Sequence, residues 1–337
     1  MTERLPLVSV VIDNYNYGRF LAQCIQSVLD QDYPSGMVET LVIDDGSEDD
    51  SREVAARFKG KITLIEKPNA GQASAFNAGI AAATGDLVMF LDADDYWDRR
   101  KIKTAARGFS DPRVGIVQNL LTEVDARGTT LKIPAYEWPP RYSIKDYLAG
   151  GAVLSASSGL AMRRSLLMDV GPIPLDISYA MCTELYLLVH GLFDADAINI
   201  PIVLGFHRLH GQNSWGGSFA SPQKLRIGLK MQQIFNRYLE AKIRARGLEF
   251  SPFYLFIRDI DAGRQEILLA MHEGHRRQAF DHWRQLWKKY GATRLGFFRC
   301  ATLMLALVSV DLYLRFYEFY NANPWPSRLR RWLLPER

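Results

Sequence analysis

Three cysteines among 337 residues, Cys24, Cys182 and Cys300, are too few and too scattered for a disulfide framework. With no C-x-x-C pair they offer no zinc site either, and they suit a reducing cytoplasm. Net charge is also scarce: 41 basic residues stand against 37 acidic ones, a balance of +4 with no broad basic footprint, which argues against nucleic acid as a partner. Met1 to Leu7 carry charge and proline but no apolar core of signal-peptide length, so no export signal is expected there. The segment after Ile12 reads DNYNYG, without the G-x-G-x-x-G that an NAD-dependent oxidoreductase requires. A glycine-rich phosphate loop with Arg and Lys, expected of a sugar nucleotidyltransferase, is missing at the same place. Internal repeats and low-complexity tracts are absent as well.

Hydrophobic residues are plentiful, at 48%, and a chain of this length predicts one large domain with an appendage. From Val8 to about Gln118, short apolar runs (Val8–Ile12, Thr40–Ile43, Ile62–Ile65, Asp86–Leu91) alternate with helix-like stretches (Phe20–Leu29, Arg52–Phe58, Ser74–Ala83). That alternation predicts an α/β fold with a mostly parallel sheet flanked by helices. Gly85 stands where a left-handed cap would close the alanine-rich helix, and Ser47 with Asp50 resembles a capping box. Prolines 134, 139 and 140 mark a loop region, Gly150 to Gly159 is rich in glycine and serine, and Ile198 to Phe206 is apolar. From about Gln223 the pattern is helical. The expected division is 1–120, 121–222 and 223–337.

Acidic clusters fall where predicted strands end: Asp13-Asn14-Tyr15-Asn16, Asp44-Asp45-Gly46-Ser47 and Asp92-Ala93-Asp94-Asp95. Parallel sheets present ligands at the carboxyl ends of their strands. Any one cluster reads as turn chemistry. Three together predict converging carboxylates that a hard divalent cation and phosphate oxygens would reconcile.

VSVVIDNYNYGRFL, LVIDDGSEDD, PNAGQASAFNAGI and GDLVMFLDADD together resemble the donor-binding half of the family 2 inverting glycosyltransferases. The resemblance covers residues 5 to 120 well and extends more loosely to about 215. It implies a GT-A-like, Rossmann-like fold, Mg²⁺ or Mn²⁺, and a single displacement that inverts the anomeric carbon. Tyr15 matches the position that packs on the nucleotide base, Asp45 the one that bonds base or ribose, and Asp44 a loop-shaping neighbour. Asp13 stands where many members carry proline or threonine, a departure that offers the base an extra acceptor or alters nucleotide preference. Asp92 and Asp94 form the D-x-D pair, expected on one side of an extended backbone. Asp94 is the leading metal or diphosphate ligand and Asp95 the next, while Gln72 and Asn77 reach the donor or serve as cap and packing.

MCTELYLL resembles the family's acidic motif beside the acceptor and places Glu184 as general base, the group that takes the acceptor's proton. GFHRLHGQNSW resembles the R-x-H-x-x-N segment, with Arg208, His210 and Asn213 closing over the donor diphosphate, His210 as a metal ligand and His207 as an ordinary turn residue. These resemblances imply a glycosyltransferase acting on a nucleotide sugar, UDP-linked by family habit, with a saccharide or lipid-linked acceptor in bacterial surface polysaccharide assembly. A non-catalytic nucleotide-sugar-binding member and a sugar nucleotidyltransferase are the alternatives. Cys300 to Val310 is uncharged but too short to cross a bilayer. Beyond it Tyr313, Phe316, Tyr317, Trp325, Arg328, Arg330 and Trp332 gather aromatic and basic character. Two readings stay open there: helices packed on the catalytic domain, or peripheral contact with the inner face of the plasma membrane.

Overall fold

Val8–Asn14 forms β1 and is buried along almost its whole length, the mark of a strand covered on both faces. In this computed structural model, which describes residues 5–132, 139–150, 155–180, 183–211 and 221–322, β1 lies at the centre of the parallel half of a mixed sheet. Helix α1 (Gly18–Leu29) follows and turns Phe20, Leu21, Cys24, Ile25 and Val28 inward, the i, i+4, i+8 stripe of an amphipathic helix. Strand β2 (Val38–Asp44), helix α2 (Ser51–Ala56), β3 (Thr63–Glu66), α3 (Gln72–Ala82) and β4 (Leu87–Asp92) continue the alternation. Then come β5 (Tyr96–Trp97), α4 (Lys101–Arg107), β6 (Val114–Asp125), β7 (Thr130–Lys132), β8 (Arg141–Tyr142), α5 (Ile144–Leu148), β9 (Leu160–Arg163), α6 (Arg164–Val170), α7 (Thr183–Gly191) and β10 (Asp196–Leu209).

The strand order is β3-β2-β1-β4-β9-β6-β10-β5. The chain runs outward from β1 through β2 to β3, then crosses back to place β4 on the other side of β1. This reversal opens a crevice at the carboxyl ends of β1 and β4. Register aligns the acids there: Asp13 is opposite Asp92 across β1 and β4, and Asn14 is opposite Asp44 across β1 and β2. Strand β9 runs antiparallel between β4 and β6, and β6 and β10 are again parallel.

Two local expectations are corrected. Helix α3 is closed by Ala83 in an extended conformation, and Gly85 has no left-handed backbone. Glycine is needed at 85 because a Cβ would lie 2.6 Å from the Ser9 nitrogen. Ser47 and Asp50 form no capping box: Asp50 makes no side-chain cap bond, and the Ser47 hydroxyl instead receives the amide of Asn16 at 2.9 Å.

The chain divides into two compact units, residues 1–214 with 237–246, and residues 215–236 with 247–337. Helix α8 (Pro222–Ala245) contributes to both; its last turns join the first unit through Arg237 and Tyr238 on Asp176 and Arg246 on Asp194. In the second unit α9 (Pro252–His272), α10 (Arg276–Tyr290), α11 (Arg294–Val308) and α12 (Val310–Ala322) surround a core that includes Phe256, Ile260, Leu268, Cys300 and Leu303. Ser251 caps α9 and Thr293 caps α11, each accepting a backbone amide. The uncharged stretch from Cys300 to Val310 ends α11 and begins α12, with Ser309 at the break accepting the Leu312 amide at 3.3 Å. Among the described residues no helix is long and apolar enough to cross a membrane. Trp325, Arg328, Arg330 and Trp332 of the expected tail lie outside the described residues.

Candidate active site

The β1 and β4 ends bring four carboxylates together. Asp13 is hydrogen-bonded to Asp92 and Gln72, and its Oδ1 is buried without a hydrogen-bond partner. Burial, then the negative charge of Asp92, holds Asp13 well above the usual carboxylate range. Burial and the Asp94 charge likewise raise Asp92, and burial with Asp94 and Asp92 raises Asp95 strongly. The D-x-D segment is not extended, as the sequence pattern suggested. Asp92 ends β4, and a turn closed by the Asp95 amide on the Asp92 carbonyl at 2.9 Å steers the chain into β5. The carboxylates still converge, because the turn folds Asp94 back beside the strand end.

Asp94 meets His210, whose Nε2 lies 2.9 Å from Oδ2. Arg19 approaches the other ring nitrogen, Nδ1, at 3.2 Å. A guanidinium only donates, so Nδ1 accepts and the Nε2 proton points at Asp94. Tyr17 and Phe20 pack around the imidazole at 5.4 and 5.2 Å.

Asp95 is held on both oxygens, by the Ser158 hydroxyl at 2.6 Å and the Arg208 amide at 2.8 Å. Arg208 is itself anchored to the backbone around the Asp94 turn. Its buried guanidinium donates to the carbonyls of Asp94 and Ala126 and to Gln23, and lies over the rings of Phe20 and Tyr96. Arg208 therefore braces the Asp94 turn from behind, with donors engaged that the sequence could only count. His207 is a strand residue of β10 opposite Glu123, not a turn histidine, and it works to lower the Asp92 pKa against the raising effects of burial and Asp94.

At the end of β2, Asp45 accepts the amides of Ala70 at 3.1 Å and Gly71 at 2.7 Å, and pairs with Lys67. It pins the loop before α3, where Gly71 adopts a left-handed φ of 82°. Asp44 accepts from Asn14 at 2.9 Å and from Ser47 and Arg52 at 3.2 Å, a loop-shaping arrangement. Gln72 donates to Asp92 at 3.2 Å, and Asn77 is tied to both backbone groups of Ile173 at 2.8 Å. Asn77 is thus a tether. Tyr15 is 42% exposed beside the crevice. Asn213 lies outside the described residues.

Glu184 lies in the first turn of α7. Enclosure by protein, then the charge of Asp92, raises its carboxyl to about 7, which also fixes it within electrostatic reach of the β4 end. Sequence reasoning missed two serines. The Ser157 hydroxyl lies 2.7 Å from both oxygens of Asp92, and Ser158 accepts the Asp92 amide at 3.2 Å while donating to Asp95. Serines in a glycine-rich loop carry no local sign of this task; only the pairing of β9 with β4 brings them in.

The reversed parallel half-sheet, with a crevice at the carboxyl ends of β1 and β4, is the architecture of a GT-A glycosyltransferase. Comparison with known proteins agrees. The model for Glycosyl transferase family 2 matches residues 9–171. An uncharacterized glycosyltransferase of Nostoc sp. is 33% identical over 248 residues, covering 69% of this chain and 75% of the relative. The poly(ribitol-phosphate) β-N-acetylglucosaminyltransferase TarS of Staphylococcus aureus is 27% identical over 124 residues, 36% of this chain and 22% of that enzyme. The crystal structure of TarS 1-349 with UDP-GlcNAc superposes with a TM-score of 0.55 at 16% identity, over 94% of this chain and 91% of that one. Mannosyltransferase PcManGT of Pyrobaculum calidifontis, solved with GDP-Man and Mn²⁺, gives 0.56 at 19% identity, over 95% and 84%. The two structural likenesses speak for the fold. The chain belongs to glycosyl transferase family 2 and is a glycosyltransferase.

Proposed function

We propose that this enzyme is a cation-dependent, inverting transferase that moves a sugar from a nucleoside diphosphate carrier, with UDP the first candidate, to a hydroxyl of a saccharide or lipid-linked acceptor. The reading places it in bacterial surface polysaccharide assembly, in the cytoplasm, with peripheral contact at the inner membrane face. TarS, a poly(ribitol-phosphate) β-N-acetylglucosaminyltransferase, and its structure with UDP-GlcNAc support the donor class and the setting. The Mn²⁺ in the PcManGT structure supports a cation. In this chain the residues fit one: a buried, unpartnered Asp13 oxygen stands among carboxylates whose charges raise one another, and an imidazole faces Asp94. Among the described residues no three His, Cys, Asp or Glu side chains are grouped around one point, so a cation here would share its ligands between the protein and the donor. Asp94 would hold it, and His210 would join through Nε2 on giving up the proton it offers Asp94, Asp95 bracing their turn; Asp92, Asp13 and Gln72 would face the donor. The bound cation offsets the charge left on the departing diphosphate.

The chain's own groups do the rest. Tyr15 offers its ring to the base, and Asp45 serves the donor through the loop it fixes. Arg208 keeps the Asp94 turn in place. The acceptor oxygen attacks the anomeric carbon, its proton passes to the Glu184 carboxylate, and the bond from that carbon to the diphosphate breaks. Attack opposite the leaving group inverts the centre.

One observation carries this reading: an enclosed glutamate raised to about 7 at the start of a helix, close enough to feel Asp92. A base with its pKa near the working pH is the effective one. Glu184→Gln keeps shape and removes basicity. Donor affinity by calorimetry should stay within about twofold while transfer falls on the order of 10²-fold or more. The wild-type rate should rise with pH to a plateau above about pH 7, because the base must first lose its proton. A variant that transfers at the wild-type rate removes Glu184 and returns attention to Asp169, since Asp176 and Asp194 are ion-paired to α8.

A further inference from the structure

Charge and apolar exposure coincide on one part of the second unit. Between residues 276 and 299 the sequence holds seven basic residues and one acid, Asp281, an excess larger than the +4 of the whole chain. These residues make α10 and the first turns of α11. Arg276, Arg277, Arg284 and Lys288 are exposed.

A continuous row of rings runs along the same helices: Phe280 to Trp283 at 5.6 Å, Trp283 to Trp287 at 5.3 Å, and Trp287 to Phe297 at 5.4 Å. The Trp283 indole N–H donates to the Cys300 carbonyl at 2.8 Å, so its polar edge is satisfied inside the hairpin. That bond and the Trp287–Phe297 contact set the two helices antiparallel. Phe297, Met304 and Val308 follow at i, i+7 and i+11 on α11, one stripe along the helix beside the buried stripe of Cys300, Leu303 and Ala306. Phe280 is 49% exposed, Phe297 54%, Met304 47% and Val308 73%. Water-facing apolar groups of this size, in a row and rimmed by cations, mark an interaction surface.

We propose that the α10–α11 hairpin is the docking face for an anionic lipid surface. The aromatic and aliphatic side chains would enter the headgroup boundary and the exposed Arg and Lys side chains would meet lipid phosphates, the division of labour of an interfacial amphipathic helix. The charge selects this occupant: an apolar protein partner or a neutral glycan chain gives no reason for six net positive charges in 24 residues. The proposal deepens the membrane reading above by moving the contact from the tail after Pro324 to two ordered helices.

The test is sedimentation of the full chain with vesicles of phosphatidylcholine alone and with added phosphatidylglycerol. Wild type should bind the anionic vesicles and be released by salt. Phe280→Ser with Phe297→Ser should weaken binding on the order of tenfold by removing apolar area. Arg284→Glu with Lys288→Glu, an exposed pair whose reversal spares the core, should weaken it at least about as much. Removal of residues from Pro324 onward should leave most of the binding in place. Donor hydrolysis in the same samples reports the catalytic reading separately. The proposal is overturned if wild type ignores anionic vesicles, if tail removal abolishes binding while both helix variants bind normally, or if the phenylalanine pair converts a dimer to a monomer with no vesicle binding at any stage.

Discussion

At the end of β2, Asp44 and Asp45 are buried carboxylates whose four oxygens all meet donors, from Asn14, Ser47 and Arg52 for the first and Lys67, Ala70 and Gly71 for the second. At the ends of β1 and β4 the acids face one another instead: Asp13 shares a hydrogen bond with Asp92 and leaves an oxygen without a partner, and Asp94 acts on both Asp92 and Asp95. The two places have similar sequence, DDGS against DADD, and Asp44, Asp45, Asp94 and Asp95 are all buried, with Asp13 and Asp92 partly so. What separates them is the Asp13 oxygen left without a partner and the way the acids of the second set raise one another. The first cluster is braced by its donors; the second keeps acids that raise one another, a strain that the proposed cation and donor would relieve.

The largest effect that would sharpen this contrast is on stability. Asp45→Ala deletes the acceptor of two backbone amides and of Lys67, and should lower stability by about 3 kcal/mol, read as a fall in Tm of the unliganded protein. A variant with unchanged Tm that no longer binds nucleotide would put Asp45 with the site and break the comparison.

Glu184 tests the same idea with a smaller effect and the opposite sign. Its folded pKa of about 7 lies above the ordinary glutamate value of about 4.3, so the folded state binds its proton more tightly than the unfolded chain does. Stability on its account is greatest at low pH and declines as pH rises from about 4 to about 7. Glu184→Gln removes that decline. At pH 8 the variant should be the more stable protein by about 1–2 kcal/mol, allowing for the partial exposure of the side chain, and near pH 5 the difference should shrink toward zero. Melting curves at the two pH values decide it; a variant less stable at pH 8 would mean that the carboxylate is stabilised where it lies.

Much of the catalytic unit was legible because its signals are local. The runs at Val8–Ile12 and Asp86–Leu91 are apolar enough to require burial on both faces, and the acids that end them occupy strand termini whatever else the chain does. Roles set by distant partners were not legible. Arg208 carries the chemistry of an anion binder, and its actual partners are carbonyls more than 80 positions away in sequence. Ser157 reaches Asp92 across 65 positions because β9 inserts beside β4. His207 was read as a turn residue, and only the pairing of β10 with β6 shows it to be in a strand. In the helical unit, periodicity showed that residues beyond Gln223 are helical, but which face of α11 stays open depends on how α9 and α10 fill the other.

The central claim is that the charge gathered at the ends of β1 and β4 is matched by a divalent cation held through Asp94. Thermal shift with UDP, in Mn²⁺ and in EDTA, tests it on wild type and Asp94→Asn together, since a ligand that binds only the native state raises Tm with its occupancy. The account predicts a gain for wild type with UDP and Mn²⁺, none in EDTA, and none for Asp94→Asn, whose unliganded Tm stays near wild type. Equal stabilisation by UDP in EDTA, or a full Mn²⁺-dependent gain in Asp94→Asn, would contradict it.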